Sequence, residues 1–103
     1  MKIVWAEPAI ADLESIHEYI ARDSKTYAAR FIKSLIVATV KLEKLPFCGR
    51  LVPEFEKYEF REVIFRNYRI IYRVIENNLN VEILAVIHAA RDIESVLKHD
   101  WQL

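Results

Sequence analysis

The amino-acid sequence predicts an α+β fold in which a helix hairpin covers one face of a small antiparallel sheet. Apolar residues recur at steps of three and four in the first half of the chain. In the second half, two stretches alternate apolar and polar residues around an Asn-Asn pair. These patterns predict the element order β-α-α-β-β-β, followed by a short C-terminal helix.

The N-terminal elements follow from local signals. Residues 2–6 are mostly β-branched or aromatic and predict an edge or partner strand. Pro8 suits the start of the first helix, where its missing N–H has no partner to lose. Ser24 or Thr26 suits the cap of the second helix, which Pro46 and Gly49 end. The apolar stripes are Ala9, Leu13, Ile16 and Ile20, then Ala28, Phe31, Leu35, Ala38, Leu42 and Leu45. Both stripes should face the sheet.

The C-terminal half predicts a meander of three strands. The first lies near residues 59–65, and its irregular alternation leaves its faces unassigned. The next two form a hairpin around Asn77-Asn78, since Asn tolerates the positive φ of a two-residue loop. This register pairs Val74–Val81, Tyr72–Ile83, Ile70–Ala85 and Tyr68–Ile87 on the core face. The other, solvated face then carries Arg69, Ile71, Arg73, Glu82, Leu84, Val86 and His88. Asp92 suits the cap of a short helix over residues 92–101.

Size and composition limit the function. The 103 residues suit one domain, 1–103. Fifteen basic and fifteen acidic side chains cancel, so we expect no direct DNA binding by the chain alone, which would need a positive excess. Cys48 is the only cysteine and fits a reducing cytoplasm. The sequence contains neither a secretory signal nor a membrane-spanning stretch, so we expect a cytoplasmic protein with no membrane partner.

No enzyme signature stands out. Gly-rich phosphate loops, Cys-x-x-Cys, His-x-x-x-His and Gly-x-Ser-x-Gly are all missing, which disfavours nucleotide, zinc and α/β-hydrolase sites. The histidines, His17, His88 and His99, fall in three different predicted elements. We therefore expect no metal and no cofactor.

The basic residues of the hairpin are the candidate site. Arg61, Arg69, Arg73 and Arg91 would form a ligand-facing cluster, because the planar fork of arginine suits carboxylate, phosphate or carbonyl groups. Alternatively they belong to a solvated sheet face, with pairs such as Arg73–Glu82. His88 fits a general acid or base, or a structural histidine that hydrogen-bonds the start of the last helix. Pattern alone favours the structural role.

The order and spacing of several short pieces resemble a known superfamily. They are Val4-Trp5, Ala9-x-x-Asp12-Leu13-x-x-Ile16, Tyr19-Ile20, Leu45-Pro46-x-x-Gly49-Arg50, Arg61-Glu62-Val63, Tyr68-Arg69-Ile70-x-Tyr72-Arg73-Val74 and Val86-Ile87-His88-x-x-Arg91-Asp92. Together they resemble the ParE/RelE toxins of bacterial type II toxin–antitoxin pairs over nearly the full chain. The resemblance implies the same fold, a small antiparallel sheet backed by an N-terminal helix hairpin.

The resemblance implies two activities, one per branch. RelE-like toxins cleave mRNA in the ribosomal decoding site with lysines, arginines and a C-terminal aromatic residue or histidine, whereas ParE-like toxins inhibit DNA gyrase. This chain has Glu59 and Arg61 where a lysine pair would stand, and no tyrosine follows Arg91. Its closing stretch, residues 87–92, looks more like the ParE branch.

The resemblance therefore favours a ParE-like toxin that is not an enzyme, inhibits gyrase and is neutralised by a cognate antitoxin. Its target-binding residues would be Arg61, Arg69, Arg73, His88 and Arg91. The alternative is a ribosome-dependent mRNA endonuclease with the ribosome and mRNA as partners, in which Arg61 and Arg69 hold phosphates. His88 or Arg91 would then serve acid–base or transition-state roles. A third possibility is a non-toxic remnant that still binds an antitoxin.

Overall fold

The computed structural model describes residues 1–91, and the helix predicted over residues 92–101 lies outside them. The elements are β1 Lys2–Trp5, α1 Glu7–Ala21, α2 Lys25–Thr39, β2 Arg50–Leu51, β3 Arg61–Phe65, β4 Tyr68–Ile75 and β5 Asn80–His88. Two 3₁₀ segments, Val40–Glu43 and Pro53–Tyr58, lie on either side of β2. The α+β class and the predicted order of the main elements are confirmed.

The two helices begin as the sequence predicts, but α2 ends early. Pro8 lies in the first turn of α1, and the Ser24 hydroxyl accepts a hydrogen bond from the Tyr27 N–H at 3.1 Å. The α-helix ends at Thr39, whose hydroxyl donates to the Ile36 carbonyl at 2.7 Å and competes with helical bonding. The 3₁₀ segment keeps Leu42 buried, whereas Leu45 is 61% exposed, so its predicted core position is wrong.

The five strands form one sheet in the order β1-β5-β4-β3-β2. Strand β1 pairs in parallel with β5 and is an edge strand, as predicted; the other pairs are antiparallel. Strand β2 has two residues, too few for an alternation pattern, and the sequence did not reveal it. Among residues 1–91, no helix is long and apolar enough to span a membrane.

The predicted β4–β5 register is correct only beside the turn. Val74 pairs with Val81 and Tyr72 with Ile83, as expected. A bulge then places the extra residue Leu84 opposite the Ile71–Tyr72 step, which moves every later pair by one residue. The register consequently pairs Ile70 with Val86 and Tyr68 with His88, so the predicted partners Ala85 and Ile87 are wrong.

The turn itself also differs from the prediction. Four residues, 76–79, connect the strands, and the Leu79 N–H donates to the Glu76 carbonyl at 3.1 Å. Leu79, at φ 53°, takes the left-handed conformation that the sequence assigned to an asparagine. The strand register near the turn is unaffected, because the observed four-residue loop is centred on the same Asn77-Asn78 pair as the predicted two-residue loop.

Each face of the sheet has its own core. The helix-side core joins α1 and α2 to β3, β4 and β5 through Ala9, Ile16, Phe31, Leu35, Leu42, Val63, Ile70, Tyr72, Val81, Ile83 and Val86. The opposite face, predicted to be solvated, is instead covered by residues 52–60. Its core consists of Val52, Phe55, Phe60, Ile71, Leu84, Ala85 and Ile87. The bulge supplies this second core by turning Ala85 and Ile87 toward it and moving Val86 to the helix side.

Candidate functional site

Arg69 lies in a buried ion-pair network at the edge of the second core. Its Nε donates to Glu62 Oε1 at 2.5 Å, and its two terminal nitrogens each donate to one oxygen of Glu54 at 3.1 Å. The Glu62 side chain has no exposed surface, and its other oxygen accepts from Arg50 Nε at 2.6 Å. Both edges of the Arg69 guanidinium therefore carry a carboxylate.

These contacts shift the ionisation of the network. The hydrogen bond from Arg69 holds the pKa of Glu54 below its ordinary value of 4.5, although partial burial opposes the shift. Glu54 and then Glu62 raise the pKa of Arg69 above that of a free guanidinium. The cation is thus fixed in place and neutralised by its own chain.

Arg61 contacts the loop that precedes β2 and is engaged differently. Its Nη1 donates to the carbonyls of Phe47 at 3.2 Å and Gly49 at 2.8 Å, and its guanidinium lies 5.2 Å from the centre of the Phe47 ring. The neighbouring Tyr72 on β4 donates to the Pro46 carbonyl at 2.8 Å and accepts from the Gly49 N–H at 2.9 Å. Arg61 and Tyr72 together hold the loop against the sheet.

Arg73 forms the exposed pair that the sequence predicted. Its Nε lies 2.7 Å from Glu82 Oε1 on the neighbouring strand, and 45% of its side-chain surface is exposed. The four arginines therefore do not form one cluster. Arg61, Arg69 and Arg73 each bind different groups of the protein itself, and Arg91 lies beyond the end of β5.

His88 and Arg91 share a cleft between α1 and the adjoining ends of β4 and β5. The lining residues are Asp12, Ser15, Ile16, Tyr19, Tyr68, Val86, His88 and Arg91. The rings of His88 and Tyr68 meet edge to face with their centres 5.4 Å apart. The sequence predicts His88 on the solvated face of the sheet with Arg69 and Arg73, whereas the bulge places it on the helix side.

His88 also makes a local structural hydrogen bond, whereas the start of the last helix, its predicted partner, lies outside the described residues. Its Nδ1 accepts a hydrogen bond from the Ala90 N–H at 3.2 Å, which stabilises the turn after β5. Burial, and then the neighbouring Tyr19, raise the pKa of Tyr68, so its phenol stays protonated at neutral pH. The cleft therefore brings a histidine, an arginine and phenol groups together.

Sequence reasoning missed three carboxylates of this arrangement. Glu62 and Glu54 bind Arg69, and Asp12 accepts the Val86 N–H at 2.8 Å across the α1–β5 contact. The Arg61-Glu62 pair inside a predicted strand was a signal, since a charged residue there needs a partner. Within residues 1–91, no group of three or more potential metal-binding side chains forms a metal site.

Comparison with known proteins identifies the family. Residues 3–93 match the profile described as "ParE toxin of type II toxin-antitoxin system, parDE". The chain belongs to this family. The match spans most of the sequence and confirms the superfamily that the short motifs indicated. Among curated proteins, none matches the chain.

Solved structures share the fold of this ParE-family chain at low sequence identity. The chromosomal ParDE system of P. aeruginosa has a TM-score of 0.69 at 19% identity, covering 85% of this chain and 95% of that one. The RelBE2 toxin–antitoxin complex of Mycobacterium tuberculosis has a TM-score of 0.62 at 19% identity, with 84% and 95% covered. The intact E. coli RelBE complex has a TM-score of 0.54 at 19% identity, with 87% and 98% covered.

Proposed function

We propose that this ParE-family chain is the toxin of a type II toxin–antitoxin module, acts in the cytoplasm by inhibiting DNA gyrase, and is neutralised by a cognate antitoxin. In this proposal the toxin works by binding rather than by catalysis. Its contact with gyrase would run through the cleft that His88 and Arg91 line.

The ion pairs of Arg69 are the observation that favours gyrase over mRNA as the target. An RNA-cleaving site needs cations aimed at the phosphate, preorganised to stabilise the charge that builds up in the transition state. Here Glu54 and Glu62 occupy both edges of the Arg69 guanidinium, and Arg61 is engaged with two backbone carbonyls. The neutral net charge adds to this, because docking on ribosomal RNA would favour a positive excess.

Two assays on the purified chain decide between the targets. In a gyrase supercoiling assay, we expect inhibition that depends on toxin concentration. In a toeprint assay on ribosomes with bound mRNA, we expect no new cuts. Arg91→Ala should weaken gyrase inhibition more than Arg30→Ala, a matched change on the exposed surface of α2. Codon-positioned mRNA cuts with unaffected supercoiling would refute the proposal.

One observation favours the mRNA endonuclease as a second candidate. His88, Arg91 and Tyr68 line the same cleft, and His88 and Arg91 have the chemistry of an acid–base group and a phosphate-stabilising cation. In that case Arg61 and Arg69 would have to leave their present partners to hold phosphates. The toeprint assay tests this candidate directly.

For the antitoxin, we propose that a tail with an amphipathic helix docks on the α1–α2 hairpin. A surface cleft of about 410 Å³ lies there, lined by Leu13, Glu14, His17, Glu18 and Ile32. The neighbouring structures named as ParDE and RelBE systems support a toxin that works with such a partner. A strand of the antitoxin would fit the outer edge of β3, since β2 pairs only with the first two residues of β3, Arg61 and Glu62.

Hydrogen exchange of the toxin with and without its antitoxin tests this binding mode. We expect added protection in α1, α2 and residues 63–65. Protection confined to the loop of residues 47–57 would contradict it. If the antitoxin binds as expected but induced expression of the chain leaves growth unaffected, the chain is the non-toxic remnant.

A further inference from the structure

The cleft that holds His88 and Arg91 is small for a ligand site. Its volume is about 230 Å³, below the roughly 300–1,000 Å³ of small-molecule and cofactor pockets. Ile16 and Val86 supply apolar surface at its wall, while the other lining side chains are polar or aromatic. A space of this size accommodates one side chain or one small ion.

Several hydrogen-bond donors are present among the described lining residues of the cleft. Because Nδ1 of His88 accepts the Ala90 N–H, the proton of the neutral ring is on Nε2, which is then a donor. The hydroxyls of Ser15, Tyr19 and Tyr68 are further donors. Burial, the larger cause, and Tyr19 raise the pKa of Tyr68, which keeps its hydroxyl protonated.

The charged side chains among the described lining residues of the cleft are Arg91 and Asp12. Arg91 lines it, and no carboxylate among residues 1–91 forms an ion pair with Arg91. The guanidinium of Arg22, which is not one of the lining residues, lies 5.8 Å from the centre of the Tyr19 ring. Asp12 is the only carboxylate of the described lining residues, and its Oδ2 already accepts the Val86 N–H. Among the described lining residues, the Arg91 guanidinium is therefore the charged donor that has no partner carboxylate.

We propose that this cleft binds a single carboxylate side chain, glutamate or aspartate, of the protein that the toxin inhibits. The carboxylate would accept hydrogen bonds from Arg91, His88 Nε2 and the Tyr68 hydroxyl, while its methylene groups lie against Ile16 and Val86. The inference rests on the proposed function in one respect, which is that the target is a protein.

The chain as a whole favours a carboxylate of a protein over a phosphate of RNA. Nucleic-acid affinity grows with the number of phosphates neutralised, and this chain carries fifteen basic and fifteen acidic residues. The cleft accommodates one anionic group rather than a nucleotide with its base and sugar. A carboxylate on a short aliphatic stem matches both its polar donors and its apolar wall.

Nuclear magnetic resonance titration of the full chain, made by cell-free synthesis, tests the site. The probes are acetyl-Gly-Glu-Gly-amide, its glutamine counterpart, inorganic phosphate and a single-stranded RNA hexamer. We expect the glutamate peptide to shift the signals of Tyr68, His88 and Arg91 saturably, and the glutamine peptide to bind about tenfold more weakly, since charge-assisted hydrogen bonds are the stronger ones.

Variants separate the cleft from general charge attraction. Arg91→Gln should weaken binding of the glutamate peptide about tenfold, since it removes the charge-assisted hydrogen bonds of the guanidinium, whereas Arg30→Gln should leave it unchanged. Tyr68→Phe keeps the ring and should weaken binding severalfold. Equal losses in Arg91→Gln and Arg30→Gln, no saturable binding, or tighter binding of phosphate or RNA would each overturn the inference. The titration contains no gyrase, so its failure leaves the supercoiling result to judge the proposed function.

Discussion

The Arg69 guanidinium lies against a Glu62 carboxylate that has no exposed surface, with Nε and Oε1 2.5 Å apart. Strands β3 and β4 bring the two side chains to the same face, and Arg50 binds the other Glu62 oxygen. A buried charge is stable only when paired, so this contact constrains both residues. It ties the sheet to the segment that carries Glu54, through the opposite edge of the same guanidinium.

Glu62→Gln should destabilise the protein strongly. The substitution leaves the mostly buried Arg69 without its closest anion, and breaking a buried pair costs about 3–5 kcal/mol. Urea unfolding at neutral pH measures the change. Glu82→Gln is the matched control on the exposed Arg73 pair and should cost at most about 1 kcal/mol. Similar values for the two variants would mean that Glu62 is solvated in solution.

Acid should weaken the protein partly through Glu54. Its pKa in the folded state is lowered, chiefly by the hydrogen bond from Arg69, so the unfolded chain takes up the proton first as pH falls. The stabilisation is therefore complete above the ordinary value of 4.5 and is lost as pH falls through the lower folded pKa. Unfolding curves from pH 7 to 3 should show a smaller acid loss in Glu54→Gln than in wild type. Glu56→Gln, which changes an exposed carboxylate of the same 3₁₀ segment, is the matched control.

Leu35→Ala tests the phase of α2. Leu35 has no exposed surface and belongs to the helix-side core, so its truncation should cost about 2–5 kcal/mol. Val37→Ala, two residues along the same helix and 59% exposed, should change the free energy of unfolding by less than about 0.5 kcal/mol. A larger loss of stability in Val37→Ala than in Leu35→Ala would mean that the opposite face of α2 packs on the sheet.

Gly49→Ala should destabilise the loop that Arg61 and Tyr72 hold. A Cβ at this position would lie 2.5 Å from the Tyr72 hydroxyl oxygen and 2.6 Å from the Glu62 carbonyl oxygen. Such overpacking costs about 1–3 kcal/mol. Combining it with Tyr72→Phe should not restore stability, because the clash with the backbone carbonyl remains. Thermal unfolding measures the stability of the single and double variants. Recovery of wild-type stability in the double variant would show that the clash with the backbone carbonyl is not the cause.

The sequence predicted the parts of the fold that depend on local patterns. Helix phase follows from spacing, which is why Ala28, Phe31 and Leu35 were placed correctly. The hairpin register held beside the turn and failed at Leu84, because Leu84, Ala85 and Val86 are all apolar and no change in pattern marks the bulge.

The candidate site was less predictable, because its geometry depends on contacts between distant residues. Glu54 and Arg69 are separated by 15 positions, and Asp12 and Val86 by 74. The second core likewise forms only when residues 52–60 fold over the sheet. Spacing along the chain therefore left Arg69 either in a ligand-facing cluster or on a solvated sheet face, whereas long-range folding gives it internal partners.

The last prediction separates gyrase inhibition from RNA cleavage through His88. A nuclease that relied on it for proton transfer would lose about 10²–10⁴-fold in rate when it is replaced. His88→Gln keeps hydrogen-bonding capacity without an acid–base group, so a gyrase inhibitor should stay largely toxic. Arg91→Ala should lose more toxicity, because in the proposed function this cation contacts the protein target. Induced expression of wild type and both variants, scored for growth and for cleavage of ribosome-bound mRNA, gives the answer. Codon-positioned cuts by wild type that disappear in His88→Gln would establish the endonuclease instead.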